Sequence, residues 1–329
     1  MGARYVAKYG RITHVIPFIS SIVVESDEPI KVQSGIVSVS RVAKVDVSLQ
    51  KVKRYLLPKR PFGLSGKGVR IAVIDTGLSP HVDLLLPDRV PIFVDVVAGK
   101  STPYDDNGHG TAICGAIAGN GILSNGKYSS LAPLSEIIPI KAIGSTGEGN
   151  TADILQAMQW VWDNCEKYNI RIVCASFGAE PQNKDPLVLG VEALHKKGIL
   201  VVASSGNDGV GKDKVKSPGI SPYAITVGGI DENKNIAEFT SRGLCRGIYK
   251  PDIYAPAQNV VCPSMAGDYA PVTGTSIATP IVASVCANII EKHPSFTPDK
   301  VKEILLKNSV ILENDNRYRA LNLEFLSTL

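Results

Sequence analysis

Nowhere in this chain do eighteen apolar residues run together, so no membrane-spanning helix is predicted and no membrane partner is expected. No two of the six cysteines stand in a C-x-x-C pair. Cys114, Cys165, Cys174, Cys245, Cys262 and Cys286 lie far apart, mostly among apolar neighbours. That spacing argues against a zinc site and reads most simply as buried thiols in a reducing compartment. The opening MGARYVAKYGR has neither an apolar core nor a small-residue cleavage site, and its Met-Gly start lacks the later Ser or Thr of a myristoylation signal. Together these observations give a cytoplasmic location as the expectation. Internal repeats and low-complexity tracts are missing too. The glycine-rich pieces GSTGEG and GLSGKG fail the phosphate-loop pattern, because neither follows a strand with Gly-Lys-Ser/Thr opening a helix.

What is present is an ordinary globular composition, 44% hydrophobic and 20% charged over 329 residues, enough for one large core and an appendage. Charge is uneven. Residues 1–60 hold eleven Lys and Arg against four Asp and Glu, a net +7, whereas the remainder carries −3. A basic head on a slightly acidic body implies two units that attract each other. A nucleic-acid arm is the competing reading, but the basic residues are scattered among strand-like apolar ones, so no nucleic-acid partner is expected.

From about residue 69 strands and helices alternate. VRIAVIDTG (69–77) is a continuous apolar run ending in a glycine turn, the pattern of a parallel strand buried on both faces. Similar runs occur at 136–143, 171–178, 198–207 and 223–230. Helical stretches lie between them: GTAICGAIAG, TADILQAMQWVWDNCEKY and DPLVLGVEALHKKG. In the second, Ile154, Ala157, Met158, Val161 and Cys165 share one face; the third ends on basic residues and Gly198. A last helical pair is predicted at 276–292 and 297–308. The expected fold is α/β, a doubly wound, mainly parallel sheet in three layers spanning 69–329. Residues 1–50 read as a small separate unit, α+β or β-rich, in which ITHVIPFISSIVVE and GIVSVSRVAKVDV are strand-like. Residues 51–68, basic, with two prolines and terminal glycines, read as an exposed linker.

Three polar residues stand at strand ends or helix starts. Asp75 follows an apolar strand in AVIDTG, His109 lies between two glycines in DDNGHGTA, and Ser276 opens a buried helix in TGTSIATP. Each alone has a plainer reading, as a turn former, a donor to a carbonyl, or an N-cap. Together they read Asp, His, Ser, each beside a glycine that lets backbone or substrate approach. A serine hydroxyl needs a base, an imidazole titrates near neutral pH, and a carboxylate fixes its tautomer. Asn207, closing the strand VVASSGNDG, supplies an amide able to donate to an oxyanion. Capping alone leaves the other positions unexplained.

IAVIDTG, GHGT, SSGN and GTSIATP, in this order, resemble the Asp, His, Asn and Ser motifs of the subtilisin-like serine proteases over residues 69–308. The resemblance implies peptide-bond hydrolysis through an acyl-enzyme, with Asp75, His109 and Ser276 as triad and Asn207 in the oxyanion hole. It implies a polypeptide substrate added as a strand between GSTGEGN, with Gly144, Gly147 and Gly149, and SFGA (176–179). Ser176, Phe177, Gly178, Ser204, Ser205, Gly206 and Gly219 would line the pocket for the side chain preceding the scissile bond (P1). The glycines and small residues among them imply a roomy, largely apolar slot, with Asp208 and Glu148 at the rim pointing to basic P1 residues. Ala112, Ile277 and Ile281 depart from the family's usual His, Met and His, and none is a triad position. No cofactor is required. GNGILSNGKYSSLAP (119–133) resembles relatives without the calcium loop, so no calcium or other metal site is implied.

The head resembles the second half of the family's inhibitor-type propeptide, shortened at its start. The resemblance implies that it assists folding, lies product-like in the cleft, and is cut off by the enzyme itself within 47–60. A permanent accessory domain is the alternative. For the body, the alternatives are a catalytically silent subtilase fold used for binding, and an α/β-hydrolase esterase. The latter needs a G-x-S-x-G elbow and a late His, and the chain has neither.

Overall fold

The computed structural model describes residues 10–26, 30, 38–46, 63–85, 89–211, 214–312 and 315–329. The expected self-cleavage stretch, 47–60, and most of the linker lie outside the described residues. The head contributes β1 (Arg11–Ile16), β2 (Ser21–Glu25) and β3 (Lys44–Asp46). Next come β4 (Arg70–Asp75), the short α1 (Val82–Leu85), β5 (Val94–Asp95), α2 (His109–Ala118), β6 (Glu136–Lys141) and β7 (Glu148–Asn150). They are followed by α3 (Thr151–Tyr168), β8 (Ile170–Ala175), β9 (Gly178–Ala179), α4 (Pro186–Lys196), β10 (Leu200–Ser204) and β11 (Ala224–Ile230). The carboxyl part holds β12 (Gly243–Cys245), β13 (Ile248–Lys250), β14 (Ile253–Pro256), β15 (Val260–Pro263) and β16 (Tyr269–Val272). It ends with α5 (Thr275–Lys292), α6 (Pro298–Lys307), β17 (Val310–Leu312) and β18 (Asp315–Ala320).

Among the described residues nine strands make the main sheet, in the order β17-β18-β14-β11-β10-β8-β4-β6-β5. All neighbours are parallel except β17 and β18. Alternation of side chains along each strand divides the interior into two cores. Ile71, Val73, Ile137, Cys174 and Val202 face α2, α5 and α6. Ala72, Ile74, Ile138, Val173 and Val201 face α3 and α4. The result is three layers, and α5, buried on every side from Thr275 to Ile290, is the central helix of one of them. No helix among the described residues is long and apolar enough to cross a membrane.

Local chemistry sets the helix ends. Asn150 caps α3 by accepting from the Asp153 N–H, Asp185 caps α4 with Pro186 at the first turn, and Thr297 caps α6. From β4 the chain runs to β5 and β6 on one side, then crosses by α3 to β8 on the other. The strand order therefore reverses at β4, which opens a crevice at the carboxyl edge of the sheet.

The head differs from a separately packed sheet. β1 and β2 form an antiparallel hairpin, but Ile16 at its turn is fully buried in the α3–α4 core. Burying such a side chain contributes about 1.5–3 kcal/mol. Beside it the Phe18 N–H donates to Gln159 Oε1 at 3.0 Å, and the Phe18 ring packs against Trp162. Only Lys44–Asp46 of the second strand-like stretch forms a described strand, and its partners belong to the body. β3 lies between β7 and β9, antiparallel to both, with Val45 opposite Gly149 and Ala179. Alternation along GIVSVSRVAKVDV reports a strand, but not which edges it will meet.

Candidate active site

Asp75 is the last residue of β4 and His109 the first of α2. They meet because α2 presses against the turn that follows β4. A Cβ on Gly110 would come within 2.3 Å of the Gly77 carbonyl oxygen, so only glycine permits this approach. His109 Nδ1 lies 2.7 Å from Asp75 Oδ1, and both side chains are completely buried. The Thr76 N–H donates to the same carboxylate oxygen at 2.7 Å. His109 Nε2, on the other side of the ring, is buried and has no hydrogen-bond partner among the described residues.

Ser276 stands in the first turn of α5, and its Oγ is likewise buried and without a partner among the described residues. No hydrogen bond joins it to His109. Pro280 removes the N–H that a regular helix would direct at the Ser276 carbonyl, and the Thr279 hydroxyl donates instead to the Thr275 carbonyl at 2.8 Å. Asn207 follows β10. Its Oδ1 accepts from the Thr275 N–H at 2.9 Å and the Thr275 hydroxyl at 3.0 Å. These bonds orient the planar amide, leaving its Nδ2 on the side away from Thr275. The four residues singled out in the sequence are thus held at the carboxyl edge of β4 and β10 and at the starts of two helices that pack together, α2 and α5.

Several supporting residues carried no motif of their own. Asp105 is the chief one. Its Oδ1 accepts from the Thr76 hydroxyl at 2.9 Å, the Gly108 N–H at 2.9 Å and the Asn107 N–H at 3.1 Å. Its Oδ2 accepts from the Thr111 N–H at 2.9 Å and the Thr111 hydroxyl at 2.7 Å. Burial alone would raise its pKa, but the bonds from Gly108, Thr111 and Asn107 prevail and hold it below the usual carboxylate range. Since Thr76 adjoins Asp75 and Gly108 adjoins His109, Asp105 ties the two partners together. Lys141, almost fully buried, donates to the Thr76 carbonyl and Asp106 Oδ1, both at 2.7 Å, and to the Ile143 carbonyl at 3.0 Å. The Asp-Asn-Gly turn in DDNGHGT is the signal that could have found Asp105, and Lys141 bore none.

β7 and β9 are the two edges expected to hold an extended peptide, and β3 occupies the space between them. Gly144 N–H donates to the Glu148 carbonyl and Gly147 N–H to the Gly144 carbonyl, both at 3.0 Å, shaping the turn that presents Gly149. Ser176 and Phe177 are buried, and the Phe177 carbonyl accepts from the Ser204 hydroxyl at 2.9 Å. Ser205 N–H donates to the Val227 carbonyl, and a Cβ at Gly219 would strike the Ser204 carbonyl oxygen at 2.5 Å. Where a roomy slot was expected, the stem of Lys216 lies against Gly178 and Gly206. The two rim carboxylates are engaged as well. Asp208 pairs with Lys216, and Glu148 lies 3.3 Å from Lys44 of the head.

All six cysteines are buried, and among the described residues none is joined to another. No group of three His, Cys, Asp or Glu side chains among the described residues is arranged to hold a metal ion.

In class this is a doubly wound α/β protein with a buried carboxylate–imidazole pair, and a hydroxyl at a helix start, on the carboxyl edge of its sheet. Residues 66–325 match the subtilase family, peptidase S8, and the chain belongs to that family. It is 39% identical over 279 residues to serine protease AprX of Bacillus subtilis (strain 168), a match covering 74% of this chain and 62% of that one. To subtilisin Savinase of Lederbergia lenta it is 34% identical over 257 residues, covering 78% and 88%. The fold superposes on a cold-adapted subtilisin-like serine proteinase with a TM-score of 0.68 and 25% identity, covering 82% of this chain and 94% of that one.

Proposed function

We propose that this protein is a serine endopeptidase that cuts polypeptides through an acyl-enzyme. The carrying observation is the fully buried 2.7 Å pair of His109 and Asp75, with His109 Nε2 and Ser276 Oγ both buried and unpartnered among the described residues. An unsatisfied buried polar atom is costly, so two of them at one site mark groups kept for a reactant. Asp75 holds the proton on Nδ1, which leaves Nε2 basic. As substrate enters, Nε2 takes the Ser276 proton while Oγ attacks the scissile carbonyl carbon. Such bonds tighten only when substrate is bound. Negative charge develops on the carbonyl oxygen and meets Asn207 Nδ2 and the Ser276 N–H in the first turn of α5. Collapse expels the amine, which receives the proton from His109; water then repeats the sequence on the ester, releasing the acid and restoring Ser276. Every group required belongs to the chain, so no cofactor enters.

The chain is made self-inhibited, and removes its own head. This reading is supported by β3, which fills the strand position between β7 and β9 where a substrate would lie. The basic head against the acidic body, and Lys44 Nζ at 3.3 Å from Glu148 of β7, support docking by charge. Buried thiols support a reducing, cytoplasmic setting. A fluorophosphonate should label Ser276, and mass spectrometry should show the wild type losing its head while Ser276→Ala stays full length. An unlabelled Ser276 refutes the hydrolase reading, and equal masses refute self-processing. The matched region is about 62% of the length of AprX.

A further inference from the structure

Where a protease admits the P1 side chain, backbone must leave a gap beside the nucleophile. Here that gap is bounded by Gly178 after β8 and by Gly206, whose N–H lies 3.2 Å from the hydroxyl of Thr275, the neighbour of Ser276. Both glycines spare the same space. A Cβ at Gly178 would lie 2.8 Å from Lys216 Cβ and 3.0 Å from Cγ; one at Gly206 would lie 2.6 Å from Lys216 Cγ. Gly206 also has a φ of +103°, which an L side chain rarely adopts. Lys216 is anchored along its length. Its N–H donates to the Ser205 carbonyl at 2.9 Å, and its ammonium is paired with both Asp208 and Glu180. The side chain is only 14% exposed.

Resting on the endopeptidase reading, we infer that Lys216 is the residue that sets P1 specificity: its stem fills the slot, and the enzyme accepts small P1 residues while excluding long or aromatic ones. The glycines give the slot its walls, and the lysine occupies the room they leave. The ammonium is not offered to an acidic P1 side chain, because two carboxylates already hold it. A basic P1 residue is excluded with the aromatic ones, since the same stem stands in its way and neither carboxylate is free.

Four peptide p-nitroanilides identical except for Ala, Phe, Glu or Lys at P1 test this with the full chain. Competition from β3 lowers all four rates alike, so the ratios of kcat/KM report the slot. Ala should exceed Phe by at least about tenfold. Lys216→Gly should raise Phe relative to Ala by roughly tenfold to a hundredfold, the worth of burying an aromatic side chain. If that variant does not fold, Asp208→Ala with Glu180→Ala, which frees the ammonium, should shift the same ratio in the same direction. Phe cleaved as well as Ala by the wild type, a ratio unmoved by both variants, or a Glu preference lost in Lys216→Gly would each overturn the inference. Failure of all four peptides together with an unlabelled Ser276 would instead sink the hydrolase reading. The dissociation constants of the Ala and Phe peptides for Ser276→Ala protein would then test the slot by itself.

Discussion

Replacing Asp105 by Asn puts the support of the site to its hardest test, since five donors converge on one carboxylate. An Asn side chain offers a single oxygen. If that oxygen keeps the Thr76 hydroxyl and the Asn107 and Gly108 N–H groups, the new NH2 faces the Thr111 N–H and hydroxyl. The hydroxyl can turn to accept, but the Thr111 N–H is left buried without an acceptor, at about 1–3 kcal/mol. Three charge-assisted bonds also become neutral ones, roughly half as strong. The expected loss is about 3–5 kcal/mol, the range for breaking a buried polar network, against a total stability of about 5–15 kcal/mol. Urea unfolding in a Ser276→Ala background, where no self-digestion intrudes, measures it. Acid provides a second reading. Because the folded-state pKa of Asp105 is depressed, its contribution is present above the unfolded value of about 4 and is lost as pH falls through the folded one. The parent protein should therefore lose stability with acid more steeply below about pH 4 than Asp105→Asn does. A loss under about 0.5 kcal/mol, the scatter of ordinary surface substitutions, would refute the reasoning.

Asn207→Leu should lower kcat by about a hundredfold to a thousandfold with little change in KM, as expected for a donor used only in the transition state, and steady-state kinetics checks it. Thr275→Val removes the hydroxyl that holds Asn207 and Gly206, and should cost roughly tenfold to a hundredfold in kcat through misplacement of the amide, whereas Thr275→Ser should recover most of it. Val45→Glu places a charge where the fully buried Val45 of β3 sits between β7 and β9. It should release the head and raise the initial rate of peptide hydrolysis measured before any self-cleavage; rates equal to wild type would argue against inhibition by β3.

Much of the fold was readable in advance because its signals are local. The runs at 69–77, 136–143 and 223–230 hold β4, β6 and β11, and the predicted helix 276–292 begins one residue earlier in the structure, at Thr275. The motif residues were readable for the same reason: a glycine within two residues of each of Asp75, His109 and Asn207 is a statement about neighbouring backbone. The slot was misjudged because Gly178, Gly206 and Gly219 say that space exists, not what enters it. Lys216 belongs to the segment between β10 and β11 and carries no sign in its own neighbourhood that it will fold back between two glycines.

By itself the amino-acid sequence determined the core strands β4, β6, β8, β10 and β11, the helices α2 to α6, and which side chains stand at the working edge of the sheet, since periodicity and turn chemistry act between near neighbours. Only the tertiary structure decided that β3 lies between β7 and β9, that Asp105 joins the turns of Asp75 and His109, and that the Lys216 stem lies against Gly178 and Gly206. Each depends on packing between residues far apart along the chain, where close contact and hydrogen-bond partners are settled by the fold as a whole.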